Sequence, residues 1–208
     1  MKSIRYRLVE FFIIFILIPV SFALEFPIWI KMLIALIGFA YVVYILLKIE
    51  NNKFKISQQL NWKQFWGHTM LKLLVIATLT SAYMYMVDSD NLFIVLRNKP
   101  ILWVMILFIY SLFSVYPQEL IYRTFFFQRY ESLFRSDMLF MITNAALFSL
   151  AHIFFKNTLV MVLTFIGGIL FALTFKKTKS TLLVSIEHAV YGCWLFTVGM
   201  GEMLGFPS

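Results

Sequence analysis

Glu119 with Arg123, His152, and Glu187 with His188 each sit inside a stretch otherwise made of Phe, Leu, Ile, Val, Met and Ala. Carboxylates and imidazoles are the side chains that accept, hold and return a proton, and they are also ligands for zinc. In an apolar helix such groups are expensive. They survive facing a bundle interior or a wet cavity, and there they mark catalysis or a proton relay. Other hydrolytic chemistries find little material in the chain. Asp88, Asp90 and Asp137 fall in loops, leaving no buried aspartate pair, and Ser149 and Ser185 lack a G-x-S-x-G elbow. The one cysteine, Cys193, provides neither a disulfide framework nor a thiolate metal site.

The elements that must position these groups are membrane spans. Of 208 residues, 62% are hydrophobic and 13% charged, a balance too apolar for the surface of a soluble domain. Apolar runs at 8–24, 28–47, 69–87, 101–127, 138–155, 158–175 and 181–199 each approach the ~20 residues that cross a hydrocarbon core. The expected fold is all-α, a polytopic membrane bundle of about seven transmembrane helices in a single domain over 1–208. Arg5 and Arg7 precede an apolar run as in a signal peptide, but no small-residue cleavage site follows, so the run reads as a retained helix.

Charge sets the expected orientation. Lys2, Arg5, Arg7, Lys48, Lys53, Lys55, Lys63, Arg129, Arg135, Lys176, Lys177 and Lys179 fall on one side of such a bundle, against Lys31, Arg97, Lys99 and Lys156 on the other. The N-terminus is therefore expected in the cytoplasm, with a bacterial plasma membrane as the location. The net charge of +8 follows from this topology; the partner it implies is the lipid bilayer, and no nucleic acid is called for. Trp62, Phe65 and Trp66 interleaved with Lys63 make 48–68 read as an amphipathic stretch at headgroup depth, to which His68 belongs.

Spacing relates the chemical residues to each other. Glu119 and Arg123 are i and i+4 with the acid first, the favourable order for a pair on one helix face, and Pro117 predicts a kink beside them. Ser136 and Asp137 offer an N-cap, so 101–155 reads as a helical hairpin. Glu119 lies 17 residues before Ser136 and His152 16 after it, which puts both ~25 Å from the turn in antiparallel packing. His188 follows Lys179 by nine residues, ~14 Å into the bilayer and within ~10 Å of the level of His152, a gap that tilt can close. Phe125, Phe126, Phe127 and Phe148 read as packing or lipid-facing residues, and Gly167-Gly168 as a place of close helix approach.

In this order the residues resemble a known pattern. Gln118-Glu119-x-x-x-Arg123, Phe148-x-x-x-His152 and His188-x-x-x-Gly192 resemble the E-E-x-x-x-R, F-x-x-x-H and H-x-x-x-N/D motifs of the CPBP family of intramembrane proteases, also called the Abi or CAAX prenyl protease type II family. The resemblance covers residues 100–200 and implies a catalytic core there. It implies an endopeptidase that cuts a peptide or membrane-protein substrate, its water activated by Glu119 with His152 and His188, and Arg123 orienting Glu119. Activation would run through hydrogen bonds or through a zinc held by His152, His188 and Glu119.

Two positions depart from the pattern. Gln118 stands where the family has its first Glu, and an amide cannot act as a general base. Gly192 stands where the family has Asn or Asp, so oxyanion stabilisation falls to a histidine, to Gln118 or to a backbone N–H. Glu187 is a second carboxylate near His188, though neighbours on a helix point about 100° apart, which favours Glu119. The departures also motivate an alternative, a catalytically inactive relative that binds and regulates another membrane protein; a proton-coupled transporter is a third reading.

Overall fold

A computed structural model describes residues 3–50 and 61–205. Every regular element among them is helical. The main helices are α1 over 4–22, α2 (Ile28–Lys48), α3 (Trp62–Val87), α4 (Pro100–Leu133), α5 (Asp137–Leu150), α6 (Thr158–Thr178) and α7 (Thr181–Val198). Six are long and apolar enough to cross a membrane: α2, α3, α4, α5 with the turn that extends it to Phe155, α6 and α7. Their outer faces carry exposed Met32, Leu36, Leu74, Leu79, Ile101 and Phe113, surface that belongs in hydrocarbon. The protein is an all-α polytopic membrane bundle.

Two boundaries differ from the sequence expectation. The first expected span, α1, is not among the six; a π-type stretch at Ile13–Leu17 interrupts it, and it carries the buried carboxylate of Glu10. Trp62, Phe65 and Trp66 are not a separate interfacial segment but the first turns of α3, which Asn61 caps by accepting from the Gln64 N–H at 3.0 Å. The 26 residues of α3 rise ~39 Å, more than the ~30 Å core, so its first turns reach headgroup depth. His68 is exposed there. The rest of the expected amphipathic stretch, 51–60 with Lys53 and Lys55, lies outside the described residues, as does Lys2.

The chain forms two compact units, one from 3–50 and 118–181 and the other from 61–117 and 182–205. In the first, the second half of α4 is the core. Phe125, Phe126, Phe127 and Tyr130 are at most 2% exposed, so these aromatics are packing and not lipid-facing. Phe126 meets Phe15 of α1 and Phe140 of α5 at ring-centroid distances of 5.1 and 5.0 Å, and Phe127 meets Phe175 of α6 at 4.9 Å. α5 and α6 approach until a Cβ on Gly168 would stand 2.8 Å from the Cα of Ala145, the close approach predicted for the Gly pair.

One end of this unit is polar. Arg129 binds Glu10 (2.8 Å) and Glu50 (2.8 Å), Tyr130 and Tyr41 donate to Glu10, and Arg7 donates to Ser132. Three helices that share no local sequence are thereby tied around one buried carboxylate. The same end gathers Lys48, Arg135, Lys176, Lys177 and Lys179, with Lys176 on Asp137; the far end holds Lys31 and a Lys156–Glu25 pair at 3.9 Å.

The second unit packs α3, a short helix Ile94–Asn98, the first half of α4 and α7. Val95, Ile106, Tyr110, Val115 and Phe196 form its apolar centre. Both of its buried-side indoles are satisfied, Trp103 by Thr197 and Trp194 by Thr80, each at 2.9 Å.

Candidate active site

Glu119 belongs to a helix that is not uniformly α. α4 widens to a π-type path at Tyr110–Val115 and again at Leu120–Phe125, with the N–H of Tyr116 on the Ser111 carbonyl and that of Phe126 on the Ile121 carbonyl. The α-helical turn Tyr116–Glu119 lies between them. Pro117 has no N–H to give the ladder, and the predicted kink is taken up as two wide turns flanking the proline. Such turns recur at functional sites, because the extra residue re-aims the side chains that follow. Gln118 is half-buried immediately before Glu119.

In the first unit Glu119 and Arg123 are both fully buried, with Arg123 Nε 3.2 Å from Glu119 Oε2. The guanidinium is shared. Its Nη1 donates to Asn144 Oδ1 at 2.6 Å, and its plane lies 4.9 Å from the centre of the Phe148 ring and 5.8 Å from that of Phe171. Asn144 in turn donates to the Tyr122 carbonyl at 2.7 Å, stitching α5 to α4. A buried cation must be paired and hydrogen-bonded or its desolvation is not offset, and Arg123 meets that condition with a carboxylate, an amide and two aromatic faces.

The Arg123–Asn144 contact fixes the register of the predicted hairpin, whose turn is capped by Ser136 on the Leu139 N–H. With those two level, Glu119 lies level with Phe148, and His152 lies one turn further, about 6 Å along the axis. His152 is not inside a helix as predicted. α5 ends at Leu150, and His152 sits in the turn before the short 3₁₀ segment Ile153–Phe155, half-buried. Its Nδ1 is 2.7 Å from the Phe148 carbonyl, and its ring lies 4.9 Å from the Phe148 ring. Phe148 thus touches both Arg123 and His152, which is what F-x-x-x-H spacing provides here. A carbonyl only accepts, so Nδ1 carries the proton in this contact.

His188 is held in the second unit. It is buried on α7, with Nε2 3.1 Å from the Tyr110 hydroxyl and the two rings edge to face. Gly192, one turn on, is packed so closely that a Cβ there would collide with the Tyr110 ring and hydroxyl. Glu187 points elsewhere: it is fully buried against Lys72 at 2.6 Å and accepts from the Tyr191 hydroxyl at 2.8 Å. That pairing ties α7 to α3.

Within either unit, no three His, Cys, Asp or Glu side chains among the described residues gather as a metal-binding group. Sequence reasoning passed over Asn144 and Tyr110. Asn144 had a signal, an amide in an apolar helix; Tyr110 had none, because a tyrosine among 24 phenylalanines and nine other tyrosines is not distinguished by type.

No curated protein and no solved structure matches the chain. Residues 100–194 match the family model described as type II CAAX prenyl endopeptidase Rce1-like, a segment that holds Glu119, Arg123, His152 and His188. Over that segment, just under half of its length, the chain is similar to the CPBP, or CAAX protease, family.

Proposed function

We propose that the protein is an intramembrane endopeptidase that hydrolyses a peptide bond in a membrane-associated protein or peptide, with water activated by Glu119 together with His152 and His188. The observation that carries this reading is the His152 contact. Its Nδ1 donates to the Phe148 carbonyl, and the ring so oriented is the imidazole that takes a proton from the attacking water. Glu119, one turn away along the hairpin, is the carboxylate for the same proton, and Arg123, itself anchored by Asn144, holds it in place. The water oxygen adds to the scissile carbonyl as its proton passes to Glu119 or His152. The tetrahedral oxyanion then collapses, the C–N bond breaks, and the amine leaves with that proton. The oxyanion falls to Gln118, a histidine or a backbone N–H.

The basic end of the first unit favours an orientation with the N-terminus in the cytoplasm, in a bacterial plasma membrane. The test is the processing of co-expressed membrane proteins by the wild type and by Glu119→Gln, His152→Ala and His188→Ala. Each substitution is expected to abolish the cleavage products. Products that persist unchanged in all three refute the reading, and a partner that is captured and regulated but never cut would assign the chain to the inactive class. In this scheme cleavage survives a membrane-permeant chelator; loss that added zinc reverses would place a metal on the histidines.

A further inference from the structure

Tyr110 and Gly192 lie 82 residues apart and share one volume in the second unit. The tyrosine hydroxyl occupies the place a side chain at 192 would take, since a Cβ built there meets the hydroxyl and the ring carbons beside it. From that place it reaches His188 Nε2 at 3.1 Å. The ring is fixed from behind by Phe196, edge to face at a 4.7 Å centroid distance, and by Ile106, Val115 and Val95 of the same apolar centre. A tyrosine so clamped has one polar atom, and that atom is delivered to the imidazole.

We propose that Tyr110 is the positioning residue for His188, its hydroxyl seated in the side-chain space that Gly192 leaves open and fixing the orientation and tautomer of the imidazole for the reaction. This rests on the protease reading above for what His188 does, though not for the contact itself. An imidazole on an apolar helix has several rotamers of similar energy and two neutral tautomers, and one hydrogen bond from a rigid partner selects among them. The pairing also explains why 192 tolerates no side chain while Tyr110 is present.

The arrangement predicts a reciprocal exchange. An asparagine at 192 would stand one helical turn from His188, within reach of its ring, but only if the tyrosine ring were gone. Four variants of the full chain are compared, in nanodiscs of phosphatidylethanolamine and phosphatidylglycerol, against a membrane protein whose processing His152→Ala abolishes. Tyr110→Phe keeps the ring and its packing; kcat is expected to fall about 10- to 100-fold with KM little changed. Gly192→Asn alone loses activity through the collision. Tyr110→Ala loses activity as well, and Tyr110→Ala with Gly192→Asn regains at least tenfold over Tyr110→Ala alone.

A second readout needs no substrate. The chain has three histidines, so histidine labelled with ¹⁵N gives three resolvable rings, and Tyr110→Phe is expected to shift the ring nitrogens of His188 while those of His68 and His152 stay put. Wild-type kcat in Tyr110→Phe, or unmoved His188 nitrogens, overturns the proposal. If His188→Ala itself leaves processing intact, the protease reading fails, and the nitrogen shifts still decide whether Tyr110 holds the ring.

Discussion

Replacing Asn144 by leucine tests how the charged half of the site is held. Asn144 is fully buried, accepts from the Arg123 guanidinium at 2.6 Å and donates to the Tyr122 carbonyl at 2.7 Å. Leucine keeps the approximate volume and removes both bonds. A hydrogen bond to a charged group contributes ~1.5–3 kcal/mol and a neutral one ~0.5–1.5 in water-soluble proteins. Side-chain bonds measured in bilayers average ~0.6 and reach ~1.7 kcal/mol. Arg123 is a fully buried cation that loses its closest hydrogen bond, so the upper end applies, and the loss comes to about 3 kcal/mol, roughly a hundredfold in the folded-to-unfolded ratio. Reversible unfolding in bicelles, followed by steric trapping or by denaturing detergent, measures it. Asn144→Asp should fall between the two, because a carboxylate replaces the acceptor facing the guanidinium but cannot donate to the Tyr122 carbonyl. A leucine variant within ~0.5 kcal/mol of the wild type would refute the argument that Arg123 depends on Asn144.

Two further perturbations have defined outcomes. Gly168→Val pushes a branched side chain into the Ala145 backbone, already 2.8 Å from a bare Cβ, and should destabilise by about 2 kcal/mol or more, read in the same unfolding assay. Lys72→Met removes the cation on Glu187, which is fully buried; because Lys72 is itself about one-third exposed (32%), the cost is expected near ~2 kcal/mol and not the ~3–5 of a fully buried pair, with most of it recovered in Lys72→Met/Glu187→Gln.

Much of this organisation was legible as hydrophobicity. The runs beginning near 28, 158 and 181 became α2, α6 and α7 with ends shifted by a few residues, because a bilayer demands the same ~20 apolar residues whatever the packing. The hairpin turn at Ser136 was legible from its cap, and the Glu119–Arg123 pair from its spacing. Depth was less so. Apolar letters continue through Phe155, and nothing in them says that α5 stops at Leu150 and releases His152 into a turn. Facing was least legible, since with apolar residues on every side of a helix periodicity no longer marks an inside. Tyr110 and the partners of Arg129 emerge only from tertiary contacts. Glu10 illustrates this: it read as one charge near the start of an apolar run, while its meaning lies 119 residues away in Arg129.

That separation bears on the order in which the molecule is built. Glu10 leaves the ribosome long before the arginine that neutralises it, and at ~5–20 residues per second the delay is ~6–24 s. A carboxylate without a counter-ion is cheapest at the water-facing margin of the bilayer, so α1 is expected to stay there until Arg129 is made. Final seating of the first helix is then expected late in biogenesis, after the end of α4 that carries Arg129 has emerged.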